Sequence, residues 1–435
     1  MKNILLFGAG KSASVLIEYL IENAAENNWH VTIADTDIKI VENKTKKHAA
    51  TTAIEANINN DIVRKELIKK TDLVISMMPP FLHILVANDC LEYSKHLLTA
   101  SYADEQIKLL ADKVKSKGII FLCEMGLDPG IDHLSAMQII NDIKAKGGKV
   151  TSFKSHCGGL VAPESDDNPW HYKISWNPKN VVMAGKAGAE YLQDRNHIIE
   201  KYENLFNTDR IIAIADETIG ALSYYPNRNS LPYIDLYNLN NVKTFVRTTL
   251  RHKDFIQGWK TIIELKLTDE EIVYQSDDLS LSDFYKQHFE LNEITLNISK
   301  ENKKQLEYLG LNDATTIINK GKISAADALQ FALEKKLILS ATDKDMIVMQ
   351  HEIEYELNEK KESIISSLVV YGKDSVHTAM AKTVGLPLGI AAKLILNNTI
   401  NITGLHIPIT KEIYEPVMHE LGQNGINFIE QKKSH

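Results

Sequence analysis

The fold of this chain is decided by residues 3–13, which read Asn-Ile-Leu-Leu-Phe-Gly-Ala-Gly-Lys-Ser-Ala. The first five residues form a short apolar run, as in strands that are buried on both faces of a sheet. Gly8 and Gly10 follow at once, and apolar residues then recur at helical spacing from Ser12 to Asn23. The order strand, glycine turn, helix predicts a βαβ unit of the type that binds a dinucleotide.

The residues of this turn are of the types that a bound dinucleotide requires at these positions. Gly8 permits the tight turn, and Gly10 removes a Cβ where a pyrophosphate must approach the backbone. Ala13 still allows close contact between helix and strand, and the start of the helix offers unpaired N–H groups to the phosphates. We therefore expect cofactor contacts at Gly8, Gly10, Lys11, Ser12 and Ala13. A glycine-rich turn without a ligand is the alternative interpretation.

The second strand, from His30, ends at Asp35, where an acidic residue would accept hydrogen bonds from both ribose hydroxyls of the adenosine. A 2′-phosphate at that position would meet a carboxylate instead of an arginine, so the sequence predicts NAD as cofactor, with NADP less favoured. The nearby Asp37 could be the true ligand, or Asp35 a solvated turn residue. By position alone, Asn57 and Ile58 would cover the adenine, and Met78-Pro79 would border the nicotinamide.

The first part of the chain continues as alternating strands and helices. Further buried-strand patterns lie at residues 73–77, 97–100 and 119–122, with helical patterns between them. This alternation predicts a parallel sheet with right-handed crossovers. The overall prediction is an α/β protein with a variant Rossmann domain at residues 1–125. The C-terminal segment, about 375–435, is expected to pack back on that domain.

The pattern changes after Gly126, where longer and less regularly interleaved strands indicate a mixed, largely antiparallel sheet. We expect this α+β domain at residues 126–278 and 340–374, with residues 233–237 as its weakest strand candidate. A small helical domain is expected at 279–339, with helices near 306–319 and 324–335. Ser324 followed by Asp327 resembles a capping box at the start of the second helix.

Composition narrows the class of function. The 435 residues exceed what one core usually holds, and the formal net charge of -8 argues against nucleic acid as the main partner. The spacing of Cys90, Cys123 and Cys157 matches no zinc motif, so we expect no metal site and reduced thiols in the cytoplasm. The N-terminus lacks the features of a signal peptide, and no apolar stretch reaches the roughly 18 residues of a membrane span.

Four later segments are dense in unusual residues. They are Ser101-Tyr102, Glu124 to His133 (Glu-Met-Gly-Leu-Asp-Pro-Gly-Ile-Asp-His), His156 to Trp176, and Tyr224 to Tyr233 (Tyr-Tyr-Pro-Asn-Arg-Asn-Ser-Leu-Pro-Tyr). The third segment contains Cys-Gly-Gly-Leu-Val-Ala-Pro-Glu, then Asn-Pro and Lys-Ile-Ser-Trp. This combination resembles the saccharopine reductases, the glutamate-forming saccharopine dehydrogenases, from Gly8 to the strand at residues 346–354.

The resemblance implies an enzyme of lysine metabolism with three parts, of which the mixed-sheet domain also carries catalysis and forms a homodimer. The implied reaction oxidises saccharopine with a nicotinamide cofactor and hydrolyses the imine to L-glutamate and 2-aminoadipate 6-semialdehyde, or runs in reverse. Small molecules would then be the partners, with neither nucleic acid nor membrane. The sequence leaves the direction open, biosynthetic or catabolic.

The resemblance also implies the substrate contacts, at Ser101, Tyr102, Asp128, Arg228 and the stretch Thr249, Leu250, Arg251. Saccharopine carries three carboxylates, so its pocket needs arginines that can fork onto carboxylate oxygens. Arg228 is the better candidate because it lies in a Pro/Asn turn. Residues 252–254 after Arg251 depart from the usual family sequence. For either arginine, a surface salt bridge is the alternative.

Proton transfer during imine formation and hydrolysis needs acid–base groups. We expect Asp128, Tyr102 and Cys157 to be catalytic, with Asp128 binding the substrate amine and orienting the carbon that gives up hydride. Asp128 could instead belong to a turn, and Cys157 could be a small core residue. His133 is more readily interpreted as support for the helix that starts there, and the amine of saccharopine could itself act as the base.

Two other functions fit parts of the pattern. A carboxynorspermidine dehydrogenase would share the cofactor domain and the imine chemistry, but it would need acidic groups for a polycation. A nucleotide-sensing protein with a degenerate catalytic domain is disfavoured by the complete motif set. Asp128 together with Arg228 fits an amino-acid substrate better than a polyamine.

Overall fold

The computed structural model describes residues 1–214, 216 and 218–434. The chain divides into two compact units. The first unit comprises Met1–Lys149 and Val376–Ile429, and the second comprises Val150–Ser375 and the residues from Glu430 onward. The helix at Ile131–Ala145 belongs to the first unit, so that unit extends beyond residue 125, where we expected the first domain to end.

The first unit is built on a parallel sheet of seven strands. They are β1 (Lys2–Phe7), β2 (Trp29–Asp35), β3 (Thr51–Glu55), β4 (Leu73–Ser76), β5 (His96–Thr99), β6 (Ile120–Leu122) and β18 (Gly404–His406). Their order is β18-β6-β5-β4-β1-β2-β3. The strand order reverses beside β1, which pairs with β2 on one side and β4 on the other. Ligands of doubly wound sheets bind at the carboxyl ends of the strands at this switch point.

Helices connect these strands, as the alternating pattern predicted. They are α1 (Ser14–Ala24), α2 (Ile38–Thr45), α3 (Asp61–Lys69), α4 (His83–Glu92), α5 (Glu105–Lys108), α6 (Ala111–Ser116), α7 (Ile131–Ala145), α15 (Ala379–Leu396) and α16 (Lys411–Gln423). Side chains cap several of them. Asp37 accepts from the backbone N–H groups of Lys39 and Ile40 at the start of α2, so its carboxylate has a structural role.

The late helix α15 belongs to the core of the first unit. A Cβ on Gly385 would lie 2.9 Å from the backbone nitrogen of Leu16, and one on Gly389 would lie 2.5 Å from the ring of Tyr19. The glycines therefore allow α15 and α1 to pack closely. By length and composition α15 could cross a membrane, which our sequence analysis did not anticipate. Because most of it is buried, it has the character of a core helix.

The second unit is built on a mixed sheet of ten strands. They are β7 (Lys149–Val161), β8 (Ala189–Gln193), β9 (Asn196–Glu200), β10 (Ile211–Ala213), β11 (Ala221–Pro226), β12 (Arg228–Asn229), β13 (Thr244–Arg251), β16 (Asp345–Leu357), β17 (Lys360–Tyr371) and β19 (Ile429–Ser434). The main path runs β10-β11-β13-β7-β16-β17-β19. The pair β13–β7 is parallel, whereas β11–β13 and β16–β17 are antiparallel. The expected α/β class, with a parallel and a mixed sheet, is confirmed.

The other elements of the second unit are helical, apart from a separate pair of strands. The helices are α8 (Pro178–Val182), α9 (Tyr202–Leu205), α10 (Pro232–Leu236), α11 (Lys253–Glu264), α12 (Leu281–Leu291), α13 (Lys300–Tyr308) and α14 (Ala325–Lys336), and the strands are β14 (Ile272–Gln275) and β15 (Lys322–Ser324). Leucines of α12–α14 share one core with Trp170 and Trp259. The helical segment therefore packs against residues outside 279–339.

Three local expectations can be compared with these elements. The capping box at Ser324 and Asp327 is confirmed. The expected helix at 306–319 is wrong, because α13 ends at Tyr308 and the Asp313 side chain then binds the backbone of a turn. The strand candidate at 233–237 is also wrong. Pro232 begins a helical turn there, a position that its fixed φ and missing N–H favour.

Candidate functional site

The glycine turn leaves β1 at the switch point of the first unit. Gly8 has φ +96°, and a Cβ there would lie 3.0 Å from the carbonyl oxygen of Met77. A Cβ on Gly10 would meet no protein atom within 4 Å, so the second glycine faces open space. Lys11 to Ala13 form a short 3-10 turn that leads directly into α1. The turn thus has the backbone exposure and the helix start that a pyrophosphate requires.

Asp35, at the end of β2, holds this turn in place. Its Oδ2 accepts a hydrogen bond of 2.7 Å from the backbone N–H of Ala9, and its Oδ1 accepts one of 3.1 Å from Asp37. Lys44 on α2 donates to the carbonyl oxygen of Gly10 at 2.5 Å. Burial lowers the pKa of Lys44 to about 8, against the opposing attraction of Asp35 and Glu18. A carboxylate and a cation therefore both lie beside the turn.

The residues expected by position to lie near the adenine and the nicotinamide follow the ends of two strands of the same sheet. Asn57 is exposed just after β3, whereas Ile58 is buried and its carbonyl accepts from Arg64. Met78 and Pro79 follow β4, whose neighbouring residue Met77 contacts Gly8. These places are consistent with a cofactor along the strand ends, but they identify no specific contact.

A second cluster in the first unit contains the predicted residues Ser101, Tyr102 and Asp128. The Tyr102 hydroxyl donates to Oδ1 of Asp128 at 3.1 Å. Glu124, which is 5% exposed and has φ +59°, accepts from the backbone N–H of Ala103 at 3.2 Å and lies 2.9 Å from Nε2 of His133. A buried carboxylate thus orders the segment that presents Tyr102 and binds His133 of α7. The expectation that His133 supports the helix that starts there stays a prediction.

His83 belongs to the same cluster, although our sequence analysis did not identify it. Its Nε2 lies 2.8 Å from the Ser101 hydroxyl and 3.2 Å from that of Thr99, and its Nδ1 lies 2.9 Å from that of Ser76. Burial lowers the pKa of His83 to about 4. The imidazole is therefore neutral at pH 7 and fixes Ser101 through a hydrogen bond.

The Asp128 loop is closed on itself. Gly126 donates from its backbone N–H to the carbonyl of Pro129 at 2.9 Å, and Ile131 donates to the carbonyl of Gly126. Gly130 has φ +149°, and a Cβ there would lie only 2.0 Å from the Gly126 oxygen. Only glycine fits at this position. The Asp128 side chain is half-buried in this loop.

In the second unit, neighbouring strands bring Cys157 next to Thr249. The two residues are register partners in the parallel pair β7–β13, and Tyr225 is the partner of Thr249 on β11. A Cβ on Gly158 would lie 2.5 Å from the carbonyl oxygen of Leu250, so glycine is required for this close approach. Cys157 itself is buried.

Arg251 ends β13 and is 5% exposed. Its Nη1 donates to the carbonyl of Leu250 at 2.8 Å and approaches that of Gly159 at 3.4 Å, while its buried Nε has no hydrogen-bond partner. The guanidinium carbon lies 5.2 Å from the ring centre of Tyr172 and 5.6 Å from that of Phe255. We call these three side chains the Arg251 cradle.

Arg251 carries a buried positive charge. Within the part of the structure that is described, no carboxylate forms an ion pair with it. A buried cation without a counter-ion is costly, and an orphaned N–H group adds to that cost. A ligand carboxylate that accepts from Nε would remove both costs. This combination makes Arg251 a candidate anion site.

Arg228 lies elsewhere on the same sheet. It is exposed, has φ +55° and pairs through β12 with Ala189 of β8. The preceding residue, Asn227, bonds to the carbonyl of Arg247, four residues before Arg251. At about 3.3 Å per strand residue, the backbone of Asn227 lies about 13 Å from that of Arg251 along the strand direction. The two candidate arginines therefore start from separate places on the sheet.

Comparison with known proteins gives a consistent result. Residues 4–122 match the family model described as saccharopine dehydrogenase NADP binding domain, and residues 126–426 match saccharopine dehydrogenase C-terminal domain. The chain is 31% identical to alpha-aminoadipic semialdehyde synthase of Arabidopsis thaliana over 98% of its own length and 44% of that relative. It is also 31% identical to saccharopine dehydrogenase [NADP(+), L-glutamate-forming] of Pyricularia oryzae, over 97% of this chain and 96% of that one.

Among solved structures, the apo saccharopine dehydrogenase (L-Glu forming) of Saccharomyces cerevisiae superposes with a TM-score of 0.88 at 30% identity, over 100% of both chains. The chain thus spans less than half of the Arabidopsis relative but nearly all of the two fungal ones.

These findings correct the expected cofactor. The matching domain model and the fungal relatives carry NADP in their descriptions, which favours NADP over NAD. The prediction of NAD treated Asp35 as a free ribose ligand. In the structure both oxygens of Asp35 bind backbone N–H groups, and Lys44 places a positive charge beside the same turn.

Proposed function

This chain belongs to the saccharopine dehydrogenase family, and we propose that it is an NADP-dependent oxidoreductase that converts saccharopine to L-glutamate and 2-aminoadipate 6-semialdehyde, or runs the reverse condensation. The observation that carries the proposal beyond the family match is the buried guanidinium of Arg251, which forms no ion pair with any described residue. A tricarboxylate substrate offers the counter-ion that this residue lacks.

The first unit would hold the cofactor. Gly10 faces open space, and the start of α1 directs N–H groups toward it, which suits a pyrophosphate. We propose that Lys44 binds the 2′-phosphate of NADP because its ammonium group lies at the Gly10 carbonyl. The residues of this turn would hold the cofactor, which would supply the hydride-transfer chemistry when bound.

The side chains have distinct tasks in this proposal. Asp128 binds and orients the substrate amine, and the Tyr102 hydroxyl, 3.1 Å from that carboxylate, positions it and relays a proton. Arg251 and Arg228 bind substrate carboxylates. Cys157 is buried beside Thr249, its register partner on β13, which suits a packing role as well as one in proton transfer.

The polyamine alternative is not favoured. A carboxynorspermidine dehydrogenase must bind a polycation, whereas the buried Arg251 would repel one and its Nε would remain unpaired. The assay that separates the two functions measures NADP+ reduction with saccharopine and NADPH oxidation with the semialdehyde plus glutamate or a diamine. Products are identified by mass spectrometry. Turnover with a diamine and none with saccharopine or glutamate would reject the proposal.

A variant pair tests the role of Arg251. Arg251→Met should lower kcat/KM for saccharopine roughly 10- to 150-fold, the range expected for one or two charged hydrogen bonds. Arg195→Asn is the matched control because Arg195 is an exposed arginine in the turn between β8 and β9, and asparagine tolerates its φ of +67°. Equal kinetics for wild type and Arg251→Met would remove the anion-site assignment.

A further inference from the structure

Two histidines and an aspartate of the second unit converge beside the Arg251 cradle. His171 lies in the segment before α8, His252 is the cap residue of α11, and Asp254 is in the first turn of that helix. One potential ligand atom from each of the three lies within 4.8 Å of the others. The two imidazole rings are 4.0 Å apart between centres.

The distances fit the edges of a metal coordination polyhedron. Nε2 of His171 lies 3.3 Å from Oδ2 of Asp254. Nδ1 of His252 lies 3.7 Å from the same oxygen and accepts a hydrogen bond of 3.3 Å from the backbone N–H of Asp254. Zinc bonds to imidazole nitrogen and carboxylate oxygen are about 2.0–2.2 Å, so neighbouring ligands of a tetrahedral ion are about 3.3 Å apart. The pair of His171 and Asp254 already has that separation. Nδ1 of His252 would bind the ion after a shift of a few tenths of an ångström, in exchange for its hydrogen bond to the backbone of Asp254.

An additional carboxylate orients the first histidine. Oδ2 of Asp166 lies 2.6 Å from Nδ1 of His171, so the opposite nitrogen, Nε2, is directed at Asp254. The other oxygen of Asp166 is buried without a hydrogen-bond partner. A carboxylate that binds the far nitrogen of a histidine ligand is a regular feature of protein metal sites, because it fixes the ring and raises its basicity.

We propose that His171, His252 and Asp254 bind one divalent transition-metal ion, with Zn²⁺ as the ion that suits the donors best. Two imidazoles and one carboxylate form a donor set of intermediate softness, which favours Zn²⁺ and its neighbours over Mg²⁺ or Ca²⁺. Three protein ligands leave the fourth position to water. The ligands are one-third to one-half exposed, so the ion can enter from solvent.

An ion at this location would affect the Arg251 cradle, because its ligands lie next to the cradle residues in the sequence. Each ligand is the sequence neighbour of one cradle residue: His171 of Tyr172, His252 of Arg251, and Asp254 of Phe255. The ion would therefore join the segment that carries Tyr172 to the start of α11. Hydrogen exchange in peptides covering residues 168–176 and 251–258 should slow when Zn²⁺ is added.

The binding test uses purified full-length protein, stripped with a chelator, and Zn²⁺ in competition with a chromogenic indicator. We expect one Zn²⁺ per chain, and at least a 100-fold weaker affinity in His171→Asn, His252→Asn and Asp254→Asn. Asparagine suits the φ of +48° at residue 171 and can still cap α11 at residue 252. Asp166→Asn should weaken binding 10- to 100-fold, the usual effect of losing such an orienting group.

The control is His197→Asn, which removes an exposed histidine that is paired with a single acid, Glu190. It should bind Zn²⁺ like the wild type. Co²⁺ provides a second readout, because its visible absorption reports nitrogen and oxygen coordination and should be lost in His171→Asn. The proposal is overturned if wild type binds no stoichiometric Zn²⁺, or if the ligand variants bind it as tightly as wild type. Neither result depends on saccharopine turnover.

Discussion

Acid should destabilise the first unit through the titration of His83. The imidazole is 3% exposed and surrounded by the hydroxyl groups of Ser76, Thr99 and Ser101. Burial lowers its pKa from 6.5 to about 4. His83 is therefore protonated at a lower pH in the folded state than in the unfolded chain. Stability is complete above pH 6.5 and falls as the pH drops toward 4, since the unfolded state then binds more protons.

The size of the loss in unfolding free energy follows from the shift of the His83 pKa. Each unit of pKa difference corresponds to 1.36 kcal/mol, so the loss approaches about 3 kcal/mol when the pH falls below the folded-state value of about 4. Between pH 7 and pH 5, where the folded imidazole stays neutral and the unfolded one becomes charged, His83 should cost about 2 kcal/mol. That is a substantial part of the stability of a typical domain.

The assay compares wild type with His83→Gln, whose side chain can bind the hydroxyl groups but carries no charge at any pH. Native-state hydrogen exchange, measured by mass spectrometry in peptides from β4 and β5, reports the opening free energy of the first unit at pH 7 and pH 5. The variant should lose about 2 kcal/mol less than wild type over that interval. Comparing both proteins at the same pH cancels the effect of all other histidines, including His156, whose pKa burial lowers to about 3.

Ser76→Ala is the matched control. It removes one hydrogen bond to the ring and should cost about 1 kcal/mol at both pH values. Because burial is the main cause of the lowered pKa, the acid loss of about 2 kcal/mol should persist in this variant. If His83→Gln shows the same loss between pH 7 and pH 5 as wild type, the imidazole is not the titrating group and the reasoning is refuted.

Three further predictions concern single backbone or capping positions. Gly130→Ala should prevent closure of the Asp128 loop and cost more than about 3 kcal/mol of unfolding free energy, whereas Gly147→Ala, also at positive φ but without a clash, should cost about 1 kcal/mol in the same urea titration. Asp313→Ala should cost about 2 kcal/mol at pH 7, because hydrogen bonds led by those from Thr315 hold the pKa of the carboxyl well below its usual range. That stabilisation is present above the unfolded pKa of about 4 and is lost as the pH falls through the folded value. If wild type and Asp313→Ala differ in unfolding free energy as much at low pH as at pH 7, the prediction is wrong. Gly158→Ala should raise KM for saccharopine at least 10-fold by displacing β13 near Arg251, and a wild-type KM would show that the strand tolerates the 2.5 Å contact.

The local pattern of the sequence was sufficient for the framework. Short apolar runs, the Gly8–Gly10 turn and the alternation of strands and helices predict the parallel sheet because strand burial and glycine conformations are properties of neighbouring residues. The capping box at Ser324 could also be recognised because it joins residues that are close together in the sequence. The motif around Asp128 was one of four segments that indicated the family, and its Gly130 is required because a Cβ there would clash with Gly126.

Tertiary structure decided what the charged groups do, because their partners are distant in sequence. Asp35 had the position of a ribose ligand, but its oxygens bind backbone N–H groups, one of them 26 residues away. Arg251 was already a candidate from the motif, but only the fold shows that it is buried and that no described carboxylate forms an ion pair with it. His171 and Asp254 are likewise far apart in the chain and 3.3 Å apart in space. Sequence determined which backbone forms, whereas the long-range packing of that backbone determined which charges meet and which remain available for a ligand.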